Sequence, residues 1–320
     1  MFVVNIILDI PLRHGYSYLS EQELLRGTRV QVELRGRAQV GFVLNCMDSA
    51  EFNDYPLAKL KPILSISADN LSIPNDVWEL CNFAANYYHH PLGNSLFCAI
   101  PTLLRKTTEP TANFNQTKFY QLINHEAKLR GSKQLNLFTE FQHTAILSYK
   151  QIQVILAAKP DKLIAQWIEK QIIHETPAPS AASVVQALTL NEEQQLVVTA
   201  IASNFNTFHV GLLYGITGSG KTEVFLKKKK KVLHQQQQVL VIVPEINLTP
   251  QLQSRFEQRF PAAKISLINS EIAEKARFHA WMAAKSGQSN IILGTRLSVF
   301  TPLHNIGLII VDEEHDDSLK

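Results

Sequence analysis

Three cysteines in 320 residues, none spaced as CxxC, leave neither a zinc knuckle nor a disulfide framework to be read from this sequence. Cys46, Cys81 and Cys98 are expected to be reduced, buried small hydrophobes. Long apolar runs are missing as well. No segment approaches the about 20 residues that a membrane span requires. The start MFVVNIILDIPLRHG lacks the charged leader and small-residue cleavage site of a secretory signal. A cytoplasmic protein without membrane contact is expected. A dominant charge of one sign is also absent, with 31 Lys and Arg against 28 Asp and Glu. Bulk charge therefore does not announce nucleic acid, and its distribution matters more than its sum. The cationic excess lies mainly in residues 105–175, with 10 basic against 6 acidic side chains, which gives weak support there to tracking of a phosphate backbone.

What is present is ordinary globular material, 45% hydrophobic and 18% charged, enough for two or three domains. Residues 1–66 alternate short β-branched runs with turn signals: Val3 to Ile10, Arg29 to Leu34, Arg35-Gly36-Arg37 as a turn, then Gln39 to Asn45. This pattern predicts a small β-barrel or sheet. From Pro74 the period becomes helical and ends at His89-His90-Pro91, where the histidines are read as a helix end and not as metal ligands. Tyr87 and Tyr88 are expected to be half-buried anchors of that helix, while Tyr16 and Tyr18 are candidates for stacking on bases. A second helix is expected from Asn94 to Ile100. Residues 105–175 carry short helical patterns, the last from Lys162 to Ile173, and predict a winged-helix-like module. The Pro- and Ala-rich stretch 176–186 reads as a linker. From 187 to 320, apolar strands near Val210–Tyr214, Val239–Val243, Ile265–Ile268, Asn290–Leu293 and Leu308–Val311 alternate with helices, the signature of a parallel sheet in a single α/β RecA-like lobe. The fold expected is multidomain, with a β-rich segment 1–104, the helical module and one P-loop lobe.

The chemistry concentrates in that lobe. Gly215 to Thr222 reads GITGSGKT and fills every fixed position of G-x-x-x-x-G-K-[ST] after an apolar strand. Backbone N–H groups around Gly215, Gly218, Ser219 and Gly220 would cradle phosphates. Lys221 would reach the outer phosphates and Thr222 would bind Mg²⁺. The strand ending in Asp312-Glu313 supplies the second half: Asp312 for Mg²⁺ and Glu313 to orient or deprotonate the attacking water. Gln194 sits at a helix start where its amide suits an adenine edge, although Asn191 to Gln194 is equally an ordinary helix start. Gly294-Thr295-Arg296 follows another strand at the edge where α/β sheets bind ligands, and its hydroxyl and guanidinium suit a phosphodiester.

The segments GITGSGKTEVF, VPEINLTPQ, GTRLSVFTP and IIVDEEHD together resemble those of the PriA family of primosomal replication-restart helicases, within superfamily 2. The resemblance extends over the chain, since VVNIILDIPLRHGYSYL and YYHHPLGNSLFCAIPTLLR resemble the two ends of that family's DNA 3′-end-binding domain. It implies an ATP- and Mg²⁺-dependent 3′-to-5′ DNA helicase that acts, as a monomer near the nucleoid, on stalled or abandoned forks and single strands. The implied partners are primosome and helicase-loading proteins and single-stranded DNA-binding protein. By the same resemblance Lys221, Asp312 and Glu313 would be catalytic and Gln194 would read adenine. Thr295 and Arg296 would touch single-stranded DNA, and Tyr16, Ser17, Arg35, Arg37 and Lys61 would lie in or near the 3′-end pocket.

Some positions depart from that family. Ser17 stands where an aspartate is usual, and Asn269-Ser270 where a His-Ser pair is usual. Lys227 to Lys231 is a run of five lysines in the helix after the P-loop, with Lys228 on a stripe bounded by Val224 and Val232. A second RecA-like lobe and the family's cysteine-rich zinc module are not encoded in these 320 residues, so no zinc is expected in this chain. The isolated chain is expected to be inactive as a motor, and the competing reading is a DNA-binding remnant without ATP turnover.

Overall fold

A computed structural model describes residues 1–12, 14–110, 119–125, 127, 129, 131–176, 191–202, 207–215, 220, 224, 232, 235–244, 250–260 and 263–317. The chain divides into two compact units, the first of residues 1–112, 188–254 and 264–320, the second of 113–187 and 255–263.

The first unit begins with strands β1 (Phe2–Leu8), β2 (Tyr16–Ser20), β3 (Arg29–Leu34), β4 (Arg37–Asp48) and β5 (Ser65–Ile66), in the sheet order β2-β1-β4-β3-β5. The alternation of β-branched residues expected from the sequence places Val4, Ile6, Val30, Val32 and Val43 in one buried cluster. Residues 61–67 join the two outer edges. Leu19 donates to the Lys61 carbonyl at 2.9 Å and accepts from Ile63, while Leu64 and Ser67 donate to Gln31 and Arg29 of β3. The sheet thus closes on itself along a seam, which leaves no free edge to recruit another chain. Arg35 and Gly36 both have positive φ, 51° and 75°, and form the tight β3–β4 turn expected at that position.

Helix α1 (Asn75–Tyr87) buries Val77, Trp78, Cys81 and Ala85, and α2 (Leu92–Ala99) lays Phe97 edge-on against Phe42 of β4. The end of α1 is a two-bond cap: His90 N–H donates to the Ala85 carbonyl and His89 N–H to that of Asn86, with His89 at φ 53°. A histidine in this left-handed conformation costs about 1 kcal/mol that glycine does not. His89→Gly is therefore expected to raise stability by about 0.5–1 kcal/mol, read as a higher urea midpoint at unchanged slope. Two expectations are corrected here. Tyr87 and Tyr88 are not half-buried but 67% and 72% exposed, because the apolar stripe of α1 that meets the barrel runs through Val77, Cys81 and Ala85 instead. Cys98 is exposed and Cys46 only partly covered; Cys81 alone is a buried thiol, and burial pushes its pKa up to about 12.

The second unit contains β6 (Phe119–Leu122), α3 (Ser132–Thr144), β7 (Ile146–Ser148), α4 (Tyr149–Leu156), α5 (Asp161–Glu169) and β8 (Ile173–Thr176). The short helices expected here number three, and they pack Leu137, Phe141, Ile152 and Trp167 into one core. The antiparallel sheet β7-β6-β8 was not expected, because strands of three or four residues are too short to show a period of two. Ser148 opens α4 with a reciprocal cap to Gln151.

The first unit continues with α6 (Glu192–Ala202), β9 (Gln238–Ile242), the start of α7 (Pro250–Arg259, whose residues from 255 on fall in the second unit), β10 (Ile265–Ile268), α8 (Glu274–Lys285), β11 (Ile291–Gly294) and β12 (Ile306–Val311). Strands β10-β11-β9-β12 form a parallel sheet, as the uninterrupted apolar runs require. The strand expected at Val210–Tyr214 is a correction. Those residues have no regular structure, and Val210, Leu212 and Tyr214 are 78%, 77% and 94% exposed. Among the described residues no strand lies beyond β12, and a strand without a neighbour has nowhere to place its backbone hydrogen bonds.

Helix α8 also meets the first half of its unit. Arg277 donates to Thr102 Oγ1 at 3.1 Å, Lys106 lies 3.1 Å from Glu274, and Lys285 Nζ donates to the Asn70 and Ser72 carbonyls at 2.8 and 2.6 Å.

Candidate functional site

The carboxyl edge of the parallel sheet collects one group of expected residues. In register, Ile242 at the end of β9 faces Gly294 of β11 on one side and Val311 of β12 on the other. Val243 N–H donates to the Gly294 carbonyl and Asp312 N–H to that of Ile242, both at 2.9 Å. Thr295 and Asp312 are thus each one residue past a paired position, two strand spacings apart, or about 9–10 Å. The Asp312 carboxylate accepts the Glu313 N–H at 3.1 Å, and Glu313 is exposed with φ 50°. Asp312 retains a second carboxylate oxygen, which suits a Mg²⁺ ion that takes one or two carboxylates alongside phosphates and water.

Gly294 allows the turn after β11 to fold back tightly, since a Cβ there would sit 2.3 Å from that of Ser298 and 2.7 Å from the Ile268 carbonyl. The same close packing leaves Thr295 only 4% exposed, so Arg296 is the member of this pair presented to solvent. The sequence treated the two alike because both carry suitable donors, and it contained no sign of which one the turn would bury.

Of the phosphate loop, Gly215 and Gly220 are described. Gly218, Ser219, Lys221 and Thr222 lie outside the described residues, as do Lys227 to Lys231. Gly220 has φ +80°, and a Cβ on it would meet the Gln194 amide nitrogen at 2.5 Å. Gln194 therefore abuts the loop. Its side-chain Oε1 accepts the Asn191 N–H at 3.1 Å while its backbone N–H donates to Asn191 Oδ1 at 2.8 Å, a reciprocal helix cap. The ordinary helix start and the approach to the loop are both present. Val224 and Val232 are buried, so the stripe on which the sequence places Lys228 is bounded by core positions.

The second group gathers at the barrel seam. Tyr16 and Tyr18 share one face of β2, and Lys61 sits on the segment that closes the seam. Lys61 Nζ is 2.5 Å from Glu33 Oε1, and the Tyr18 hydroxyl donates to the Glu33 carbonyl at 3.0 Å. Burial raises the Tyr18 pKa, with Tyr16 and Glu33 adding to it. Arg35 and Arg37 are exposed on the adjoining turn. Tyr18 is buried in the barrel core, so its ring is unavailable for stacking and only its hydroxyl reaches the seam. Ser17 falls on the opposite face of β2, paired across the sheet with Asn5. Glu33 went unremarked in the sequence, where an acidic residue beside an Arg-Gly-Arg turn carries no signal of its own.

Among the described residues no group of three His, Cys, Asp or Glu side chains is placed to hold a metal, and no helix is long and apolar enough to cross a membrane. Residues 5–101 match the family described as 3′DNA-binding domain, and residues 187–318 match that of the Type III restriction enzyme res subunit. A DNA 3′-end-binding type of domain is thus followed by a helicase-type domain. The replication restart protein PriA of Haemophilus influenzae is 34% identical over 100% of this chain and 45% of its own length. That of Chlamydia pneumoniae is 27% identical over 99% of this chain and 43% of its own. That of Bacillus subtilis is 36% identical over 42% of this chain and 17% of its own. The chain spans less than half the length of these relatives.

Proposed function

Because the chain belongs to the PriA family of replication restart proteins and corresponds to its N-terminal portion, we propose that it provides the fork-docking domain and first ATP-binding lobe of a 3′-to-5′ DNA helicase. The helicase binds stalled or abandoned forks and promotes primosome assembly. The observation that carries this reading is the meeting, on one sheet edge, of Asp312-Glu313 after β12 and Arg296 after β11, with Gln194 against the P-loop glycine. A nucleotide-triphosphate site and a phosphodiester contact on neighbouring strand ends are what coupling of hydrolysis to strand movement requires.

In this proposal Lys221 and the glycine-loop amides hold the phosphates, and Thr222 and Asp312 hold Mg²⁺, which supplies charge neutralisation at the transferred phosphoryl group when bound. Glu313, exposed at the strand end, takes the proton of the attacking water. Gln194 reads the adenine from its place beside Gly220. Arg296 holds a strand phosphate, and Tyr16, Lys61, Arg35 and Arg37 receive the 3′ end of a nascent strand. The second unit acts as a winged-helix-like DNA contact, supported by its three helices on a three-stranded antiparallel sheet.

The test is binding to a fork with a nascent 3′ end at the junction, to a fork without one, and to blunt duplex, at fixed salt. At least tenfold tighter binding to the first is expected, and equal affinity for all three would sink the fork assignment. DNA-stimulated phosphate release that is abolished by Lys221→Ala, measured on the chain joined to a second lobe, separates a motor from a DNA-binding remnant.

A further inference from the structure

Helix α8 is attached to the barrel half of its unit at both ends. At its start Glu274 lies 3.1 Å from Lys106, and Arg277 donates to Thr102 Oγ1 at 3.1 Å. At its last residue the Lys285 ammonium donates to the Asn70 and Ser72 carbonyls at 2.8 and 2.6 Å and to Ser72 Oγ at 3.3 Å. A contact at one end of a helix leaves a hinge. Contacts at both ends of a 12-residue helix, about 16 Å apart, remove that rotation. The turn Arg296–Phe300 adds a third point, since it lies against α1.

The same helix is fixed to the strands that carry the sheet-edge groups. Ala284 packs with Leu240 of β9 and Ile292 of β11, and its carbonyl accepts the Gln238 side-chain amide at 3.0 Å. Ser289 N–H donates to the Ala283 carbonyl at 2.9 Å, just before β11 leads to Gly294 and the Arg296 turn. Helix α8 thus lies between the barrel and Arg296, held on either side. Part-exposed polar contacts of the kind made by Arg277 and Lys285 add little to stability, because each replaces a hydrogen bond to water. What they fix is distance. Distance decides whether two sites act on one ligand together, since a second site held at the right spacing sees the ligand at a high effective concentration.

We propose that Thr102, Arg277 and Lys285 are positioning residues that hold the barrel seam and Arg296 at one spacing, so that a single branched DNA engages both at once. The proposal rests on the reading of the seam and of Arg296 as DNA contacts. The three residues need not meet the DNA themselves. Their effect is confined to ligands that reach both sites, and a ligand of one site alone is bound equally well without them.

The experiment measures affinity of the full chain, by fluorescence anisotropy at one salt concentration, for a fork with a nascent 3′ end at its junction, the same fork without the nascent strand, and a tetranucleotide that reports single-site binding. The unaltered protein should favour the first fork over the second by about tenfold. In Thr102→Val combined with Lys285→Met that advantage should fall to about twofold, while the second fork and the tetranucleotide bind as before. Lys61→Met should weaken the tetranucleotide as well, which separates loss of a site from loss of spacing. An unchanged melting temperature shows that the combined variant is intact; if it falls, Thr102→Val alone, which removes one acceptor and keeps the side-chain shape, should show the same pattern at smaller size. If an intact variant keeps the tenfold advantage, or loses the tetranucleotide along with the fork, the positioning role is overturned and the two DNA contacts stand. If the unaltered protein binds both forks alike, the seam and Arg296 do not share a ligand and both readings fall.

Discussion

Replacing Arg29 with methionine should destabilise the protein by about 3–5 kcal/mol, because it removes a buried cation and leaves its partners without a donor. The Arg29 side chain is fully buried on β3, yet each of its donor groups is used. Nε donates to the Leu104 carbonyl at 3.0 Å, Nη1 to Ser67 Oγ at 2.5 Å and Nη2 to the Lys106 carbonyl at 2.5 Å, with Glu109 at 3.8 Å as counter-charge. Burial lowers its pKa and Glu109 raises it, but a guanidinium remains charged throughout the accessible range. Gln31, two residues along the same strand, adds a bond to the Thr107 carbonyl. The strap from 104 to 109 is therefore held on the barrel by side chains from a single strand. Arg29→Lys should recover only a minor part of the loss, since an ammonium cannot reproduce the planar fork that reaches three acceptors at once. Urea unfolding of the three proteins measures the difference, and a loss below about 1 kcal/mol in the methionine variant would show that the strap is held by something else.

The second large effect is expected at Lys285, the last residue of α8. Its ammonium donates to the Asn70 and Ser72 carbonyls and lies 5.7 Å from the Trp281 ring centre, with the Asp69 carboxylate as the acidic group nearby. Burial draws its pKa from 10.5 down to about 8, and attraction to Asp69 opposes the fall. The folded state therefore releases this proton at a lower pH than the unfolded state does. Up to about pH 8 both states are protonated and the burial penalty is felt in full. From pH 8 to 10.5 the unfolded state still binds a proton that the folded state has shed, so this group makes stability rise with pH across that window. Lys285→Met should remove the rise between pH 8 and 10.5, and should change stability at pH 7 by less than that rise, since the carbonyl contacts and the burial penalty are lost together. Chemical denaturation at half-unit pH intervals reads both, and a methionine variant with the original slope would refute the assignment of that slope to Lys285.

Much of this architecture was legible because its signals are local. The apolar strands β9 to β11 and the alternation in β1 and β3 need only spacing, and a tight turn needs only Arg35-Gly36. What was not legible depends on contacts between distant residues. Strands β6 to β8 are too short to carry a pattern, and their pairing is made by helices packing behind them. The Val210–Tyr214 run has the composition of a strand, but composition supplies no neighbour. Thr295 and Arg296 are equivalent as donors in sequence, and only the fold of the turn after Gly294 buries one and presents the other. Glu33 meets Lys61 only because residues 61–67 cross from β2 to β3, which no local window contains.

That crossing has a further consequence, for how this surface can change over generations. Residues 61–67 are at once the stitch that closes the barrel and the carrier of Lys61. Most binding surfaces sit on loops that can be exchanged without touching the framework. Here the framework and the contact are one short segment, so an insertion within it, or a proline at Ile63, Leu64 or Ser67 whose N–H groups make the stitch, would remove the domain and its ligand together. New specificity has to be acquired elsewhere, through the side chains of Arg35 and Arg37, which are exposed on a turn whose backbone the positive φ of Arg35 and Gly36 constrains.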